Sequence, residues 1–262
     1  MDPISILAIV FAVVSILSAA IIEGTSLGSL MAPTAFMIIT GGTLGATATC
    51  YSIEELVKLL STLPRVMKKP SCTAVEIYAA FGEMATLARR EGLLVLEHHP
   101  IKVNSPLLKR GIRLLVDGVE SGALKDILIE QILTEEQKMK VQSGILQTAG
   151  GFAPTMGIIG TVLGLVMVLG NLENSEELGP AIAVAFLATL YGISSANILF
   201  LPLSKKMAYV SKIEAQLGLM IVEGVLSIQA GDNPRMVQEK LMSLIDESKW
   251  SLLQAPQADA KK

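Results

Sequence analysis

Residues 143–171 read SGILQTAGGFAPTMGIIGTVLGLVMVLGN, without one Asp, Glu, Lys, Arg or His. A bilayer core about 30 Å thick takes roughly 20 apolar residues of helix, so this stretch is long enough to cross a membrane. Gly150, Pro154, Gly157, Thr161, Gly164 and Val168 recur within it at alternating steps of four and three residues, which puts them on one narrow helical face. That face is almost free of bulk.

A second uncharged stretch, Leu178 to Ser204, follows closely and carries a stripe of its own: Ala181, Ala185, Ala188 or Thr189, Gly192 and Ala196. Small stripes let backbones approach closely and mark helix packing in lipid. Two uses stay open: the stripes pack against each other within one chain, or they surround a helix supplied by another. Thr161 and Thr189 place hydroxyls deep in these apolar helices, although a lone membrane Thr usually bonds its own i−4 carbonyl. Pro154 and Pro202 sit near the inner ends, where each deprives a carbonyl of its usual donor.

Working back toward the N-terminus, Pro3–Ile22 forms a first span, and about Leu30 to Tyr51 a second, starting near Met31-Ala32-Pro33 and holding Gly41, Gly42 and Gly45. The few residues between them predict a hairpin. Met1-Asp2-Pro3 has no Lys or Arg, unlike the basic start of a cleavable signal, so the N-terminus is expected to be retained. The composition agrees with an all-α integral membrane protein: 51% of residues are hydrophobic, only 4% aromatic, and the mean hydropathy is +0.56.

The basic residues orient these four spans, because cytosolic flanks retain Lys and Arg. Thirteen of them lie between Tyr51 and Ser143, the other eight beyond Ser204, and the short loops Glu23 to Ser29 and Leu172 to Glu177 carry only acids. Both termini are therefore expected inside. The chain divides into a transmembrane hairpin (3–51), a cytosolic helical domain (52–142), a second transmembrane hairpin (143–204) and a cytosolic helical tail (205–262).

Helix signals fill the cytosolic parts. Ser52-Ile53-Glu54-Glu55 resembles a cap with acids in the first turn. From Thr73 to Arg89-Arg90-Glu91-Gly92 an amphipathic helix is predicted on Val75, Ala79, Gly82 or Glu83, and Thr86 or Leu87. Further helices fit Pro106 to Val116 and Leu124 to Gln142, around an Asp117-Gly118 turn. The tail reads as one long helix from Lys205, a Gly231-Asp232-Asn233-Pro234 turn and a second helix to about Ser251, with Pro256 to Lys262 frayed.

Several function classes drop out. A net charge of −3 and a pI near 5.5 argue against nucleic acid. Cys50 and Cys72 fall where thiols stay reduced, and two thiols make no metal site. His98 and His99 are adjacent and lack the i, i+4 spacing of a metal pair. With no P-loop and no nucleophile–base constellation, neither an enzyme nor an ATP-driven transporter is expected. No charged residue lies within any span, so the chain cannot carry cations alone. The carboxylate must come from another polypeptide.

At these residues the sequence resembles the MotA/PomA family of flagellar stator subunits along nearly its whole length. The likeness rests on Gly41-Gly42, Ala88 through Glu97, Leu115-Val116-Asp117-Gly118, Phe152 through Leu165, Leu178 through Gly192, and Glu223 through Arg235. It implies five subunits around two copies of a MotB/PomB-type partner whose one transmembrane helix carries an essential Asp. The third and fourth spans then line the ion path through Pro154, Gly157, Thr161, Ala185, Thr189, Gly192 and Pro202. Arg89, Arg90 and Glu97 correspond to charges that engage the rotor protein FliG, with Arg89 and Glu97 a little over two turns apart if one helix carries both. No resident cofactor or metal is implied, and the cargo is Na+ or H+. Sodium is favoured, because sodium-type members tend to have Thr at the position of Thr161 and hard cations prefer oxygen ligands. The ExbB/TolQ class resembles the chain only across the third and fourth spans.

Overall fold

A run of 20 uncharged, mostly apolar residues leaves a chain in lipid one way to satisfy its backbone, and Pro3–Ile22 takes it as helix α1. The computed structural model describes residues 3–68, 72–100, 103–170, 172, 175–245 and 250. Every regular element among them is helical. The loop residue Glu173 and the frayed Pro256–Lys262 lie outside the described residues. The chain forms two compact units, one of residues 1–69 and 139–209, the other of 70–138 and 210–262. These bounds follow packing rather than hydropathy, and they fall inside the long helices α6 (Ser121–Gly170) and α8 (Leu201–Gln229).

In the first unit, α1 is almost uncovered, whereas α2 (Pro33–Ala48) buries Ala35, Ile39, Thr43 and Thr47 on one face and packs on α7 (Ser175–Ser194). Pro33 occupies the first turn, where its missing N–H costs nothing. The expected second span is shortened. Its helix has 16 residues, about 24 Å, because the chain leaves helix at Thr49 and Cys50 before Tyr51. A bend of 118° then leads into α3 (Ile53–Val66), where the Ser52 hydroxyl accepts from the Glu55 N–H at 3.4 Å. Among the described residues three helices are long and apolar enough to cross a membrane, within Ile4–Ile22, Ser121–Gly170 and Leu178–Gln229, or four if the bent pair of α2 and α3 counts as one span.

The expected stop at Gln142 does not occur. Ser121–Gly170 is one helix of 50 residues, since nothing between Gln142 and Ser143 breaks the backbone ladder and polarity changes along a helix without ending it. The same holds where the fourth stretch meets the tail. Helix α7 passes into a π-helical stretch, Ser195–Phe200, then into α8, with the Leu201 N–H reaching back five residues to Ala196 O. Pro202, which has no N–H, comes next. A wider turn just before it absorbs the missing bond without breaking the helix.

The second unit is built around α4 (Ala74–Glu91), which begins with a complete capping box: Thr73 accepts from the Glu76 N–H at 3.2 Å, and the Glu76 carboxylate accepts from the Thr73 N–H at 2.8 Å. Gly92 ends it at φ +88°, a conformation that favours glycine. Ile77, Phe81, Met84 and Ala85 are its most deeply buried residues, and Val75 and Leu87 of the predicted stripe pack half-buried against the same core, so the inward face is centred beside that stripe on the bulkier side chains. After a 3-10 turn, Leu93–Glu97, helix α5 runs over the expected Pro106–Val116. Helix α9 (Pro234–Met242) follows the Gly231 turn, its Asn233 side chain accepting from the Met236 N–H at 2.8 Å. Phe81, Leu108, Leu115, Leu128, Val225 and Leu241 pack into the core of this unit.

Candidate functional site

The third and fourth spans meet along their small faces. A Cβ placed on Gly157 would stand 3.0 Å from Ala188 O and 3.1 Å from Thr189 Cα, and one on Gly164 would stand 2.6 Å from Ala185 Cβ. Gly192 is tighter still, 2.5 Å from Ala153 O and 3.1 Å from Gly157 Cα. The stripes thus pack against each other within one chain. Of the two uses left open above, this one is realised, and it consumes Gly157, Ala185 and Gly192, all buried.

What the packing leaves half-open is polar. The Thr161 hydroxyl lies 3.0 Å from its own i−4 carbonyl at Gly157 and 3.0 Å from Ala185 O on the facing helix, and it also meets the Thr189 hydroxyl. Two hydroxyls and two carbonyls therefore gather at one point between spans that carry no charge. Both threonines stay partly accessible. Beside Ala188 opens a crevice of about 370 Å³ lined by Thr34, Ala35, Gly164, Val184 and other apolar residues, with no titratable group in it. Among the described residues no cluster of His, Cys, Asp or Glu is arranged to hold a metal.

Pro154 lies inside α6 and is half-buried, one turn from Gly157, while Pro202 is exposed in the first turn of α8. Neither touches the hydroxyl cluster by a hydrogen bond. Three polar ties escaped the sequence reading. Tyr191 OH donates to Leu30 O and accepts from the Ala32 N–H at 3.2 Å, fastening the start of α2 to α7. Tyr51 and Thr148 share a bond at 2.9 Å. Ser143 and Ser204 exchange hydroxyl-to-carbonyl bonds at 2.9 and 2.8 Å. A Tyr or paired Ser in an apolar helix demands a partner, which was the signal available.

In the second unit Arg89 and Arg90 occupy the last turn of α4, where cations complement the helix dipole, and both are exposed. Glu97, also exposed, ends the 3-10 turn. The spacing of two turns on one helix is overturned, because Gly92 stops the helix between them. In the same unit Lys240 donates to the Asp232 carboxylate at 2.7 Å, and that bond pushes its ammonium above the usual range.

Comparison with known proteins agrees with this geometry. Residues 100–218 match the MotA/TolQ/ExbB proton channel family, and residues 6–92 match the motility protein A N-terminal model. Motility protein A of Bacillus subtilis is 37% identical over 92% of this chain and 90% of its own length. Chemotaxis protein PomA of Vibrio alginolyticus is 31% identical over 89% of this chain and 91% of its own. The solved flagellar MotAB stator complex of Bacillus subtilis contains a chain 34% identical, superposing with a TM-score of 0.89 over 96% of this chain and 99% of that one. This chain belongs to the motility protein A family, membrane-embedded ion-channel subunits of the flagellar stator.

Proposed function

We propose that this subunit crosses the bacterial cytoplasmic membrane four times with both termini in the cytosol. Five copies surround two helices of a MotB/PomB-type partner, and ion flow drives torque on FliG. The second crossing is α2 with its flanks, Leu30 to Ala32 and Thr49 to Tyr51, which add the length that 16 helical residues lack. The observation that carries the reading is the oxygen cluster of Thr161, Thr189 and the Ala185 carbonyl inside a charge-free helix pair. Such a cluster is matched to a cation shared with a carboxylate from outside the chain. The path runs beside this helix pair, along Pro154, Thr161, Thr189 and Pro202, while the contacts of Gly157, Ala185 and Gly192 hold its wall together. The partner's Asp switches between charged and neutralised states, and each state favours a different packing of ring on helices. Each unit charge moved through 100 mV supplies about 2.3 kcal/mol.

Sodium is the favoured cargo. Thr161→Ala removes one hydroxyl and its two interhelical bonds, to Ala185 O and to Thr189, each worth about 0.6 kcal/mol in membranes, so the ring still assembles. Swimming speed measured against sodium concentration should need at least several-fold more sodium for half-maximal speed. An unchanged sodium response removes the sodium assignment drawn from Thr161.

Arg89, Arg90 and Glu97 form the rotor-facing charges. Since α4 stops between Arg89 and Glu97, the two address separate points on FliG rather than one ridge. Reversing both, as Arg89→Glu with Glu97→Lys, should cut stall torque by more than half and leave ion conductance unaltered. Normal torque on an unmodified rotor discards the contact.

A further inference from the structure

We infer that neighbouring copies of this subunit are joined within the membrane by a hydrogen bond from the Asn197 carboxamide of one copy to the Thr155 hydroxyl of the next. The inference rests on the five-copy ring proposed above and names a contact that repeats around it. It starts from a polar group on an apolar surface. Among the described residues of 178–204, Asn197 is the one exposed polar side chain, and its stripe is continued outward by exposed Ile193, Leu190 and Phe186. It lies seven residues before Ser204, the end of the uncharged stretch, which is about 10 Å of helix. An amide turned to acyl chains at that depth is costly, and such groups face protein instead. Its own backbone satisfies it only in part, because the bond to Ile193 O at 3.0 Å uses one of its two N–H groups.

The complementary group is carried by α6. Thr155 is exposed, and its hydroxyl donates to Phe152 O at 2.7 Å, which leaves the lone pairs of the oxygen to accept. Standing two residues before Gly157, it lies about 160° round the helix from the side that meets α7, so it is directed away from the Asn197 of its own chain. The depths agree. A Cβ on Gly192 would meet Ala153 and Gly157, and one on Gly150 would meet Phe200 and Leu201, which sets Asn197 within about one turn of Thr155. Outward of Thr155 come exposed Ile158 and Val162, so the stripes on α6 and α7 match polar to polar and apolar to apolar. A donor on one helix and an acceptor on the other make a head-to-tail contact, the kind that closes into a ring when repeated by rotation. Two partner helices cannot serve five Asn197 side chains alike, whereas a sister copy serves each of them.

The test uses the full chain with its partner in native membranes, on a Cys50→Ser, Cys72→Ala background. Two forms with different affinity tags are co-expressed, one with Asn197→Cys and the other with Thr155→Cys, and oxidised with copper phenanthroline. A disulfide-linked pair carrying both tags is expected, and the doubly substituted chain should give a ladder of linked copies. Linked pairs from either single form alone indicate a two-fold contact and overturn the inference. Stronger linking of Asn197→Cys to Gln147→Cys, which is exposed about two turns nearer the cytosol on α6, overturns it as well. A second readout removes the groups: Asn197→Leu and Thr155→Val should each lower the temperature at which the detergent-solubilised ring dissociates, and the double variant should fall no further than the weaker single one. Additive lowering overturns the bond. If no link forms while native mass spectrometry of the parent complex counts five copies, the contact is discarded and the ring stands; a parent that forms no ring discards both.

Discussion

Cells expressing Gly192→Val should make the protein and fail to swim. A Cβ at this position would stand 2.5 Å from Ala153 O, 3.3 Å from Ala153 C and 3.1 Å from Gly157 Cα. These are backbone atoms, with no flexible side chain to turn aside, so the third and fourth spans must separate along their crossing. Thr161 lies one turn beyond Gly157, and its bond to Ala185 O at 3.0 Å spans the gap that would open. Valine therefore costs more than the 1–3 kcal/mol typical of overpacking and also dismantles the oxygen cluster. Gly151→Ala is the control on the same helices, since nothing lies within 4 Å of its added methyl, and swimming should match the parent. Gly42→Ala meets only the pliable Met156 side chain, Sδ at 2.6 Å, and should lose less than half of the swarm diameter. Swarm diameter in soft agar and the size of the detergent-solubilised complex check the series. A motile Gly192→Val strain would show that the close crossing is dispensable.

The same crossing shows what was legible in the sequence. The small residues could be read because their four-and-three spacing survives any rotation of the helix. Their partner could not, since Gly157 and Gly192 look the same whether they face a sister helix or a foreign one. Local chemistry was fully readable where it was self-contained. Thr73 with Glu76, Gly92 with its positive φ, and Pro106 after Ser105 set helix ends without tertiary help. Where a helix outlives its environment the signal failed: hydropathy changes near Gln142 and Ser204, but the backbone ladder does not. The inward face of α4 was legible only at its edge, in Val75 and Leu87, because Ile77 and Phe81 sit beside that stripe and the surrounding core decides where the buried arc is centred. The π-helical stretch before Pro202 left only the proline itself as a trace.

In the second unit the largest expected effect is a change of sign. Phe81 is fully buried, and a Cβ on Gly224 would stand 2.5, 2.6 and 2.7 Å from three carbons of its ring. Gly224→Ala alone should destabilise this unit by about 1–3 kcal/mol, because the ring edge is pressed by an inserted methyl that has no free volume. Phe81→Ala alone should cost about 3–5 kcal/mol through lost burial and the cavity it leaves. In the Phe81→Ala background the obstacle is gone. The Gly224→Ala methyl then fills part of the void, and alanine replaces glycine inside α8, a helix preference worth about 1 kcal/mol. The second substitution should therefore raise stability in that background, and the two effects should fail to add by 2 kcal/mol or more, on the order expected for residues in contact. Trp250, the one tryptophan of the chain, reports the transition. It packs against this core and donates its indole N–H to Ile245 O at 3.1 Å, so its fluorescence during urea unfolding follows the second unit. If Gly224→Ala destabilises both backgrounds equally, the ring does not press on Gly224, and the glycine is held there by something other than Phe81.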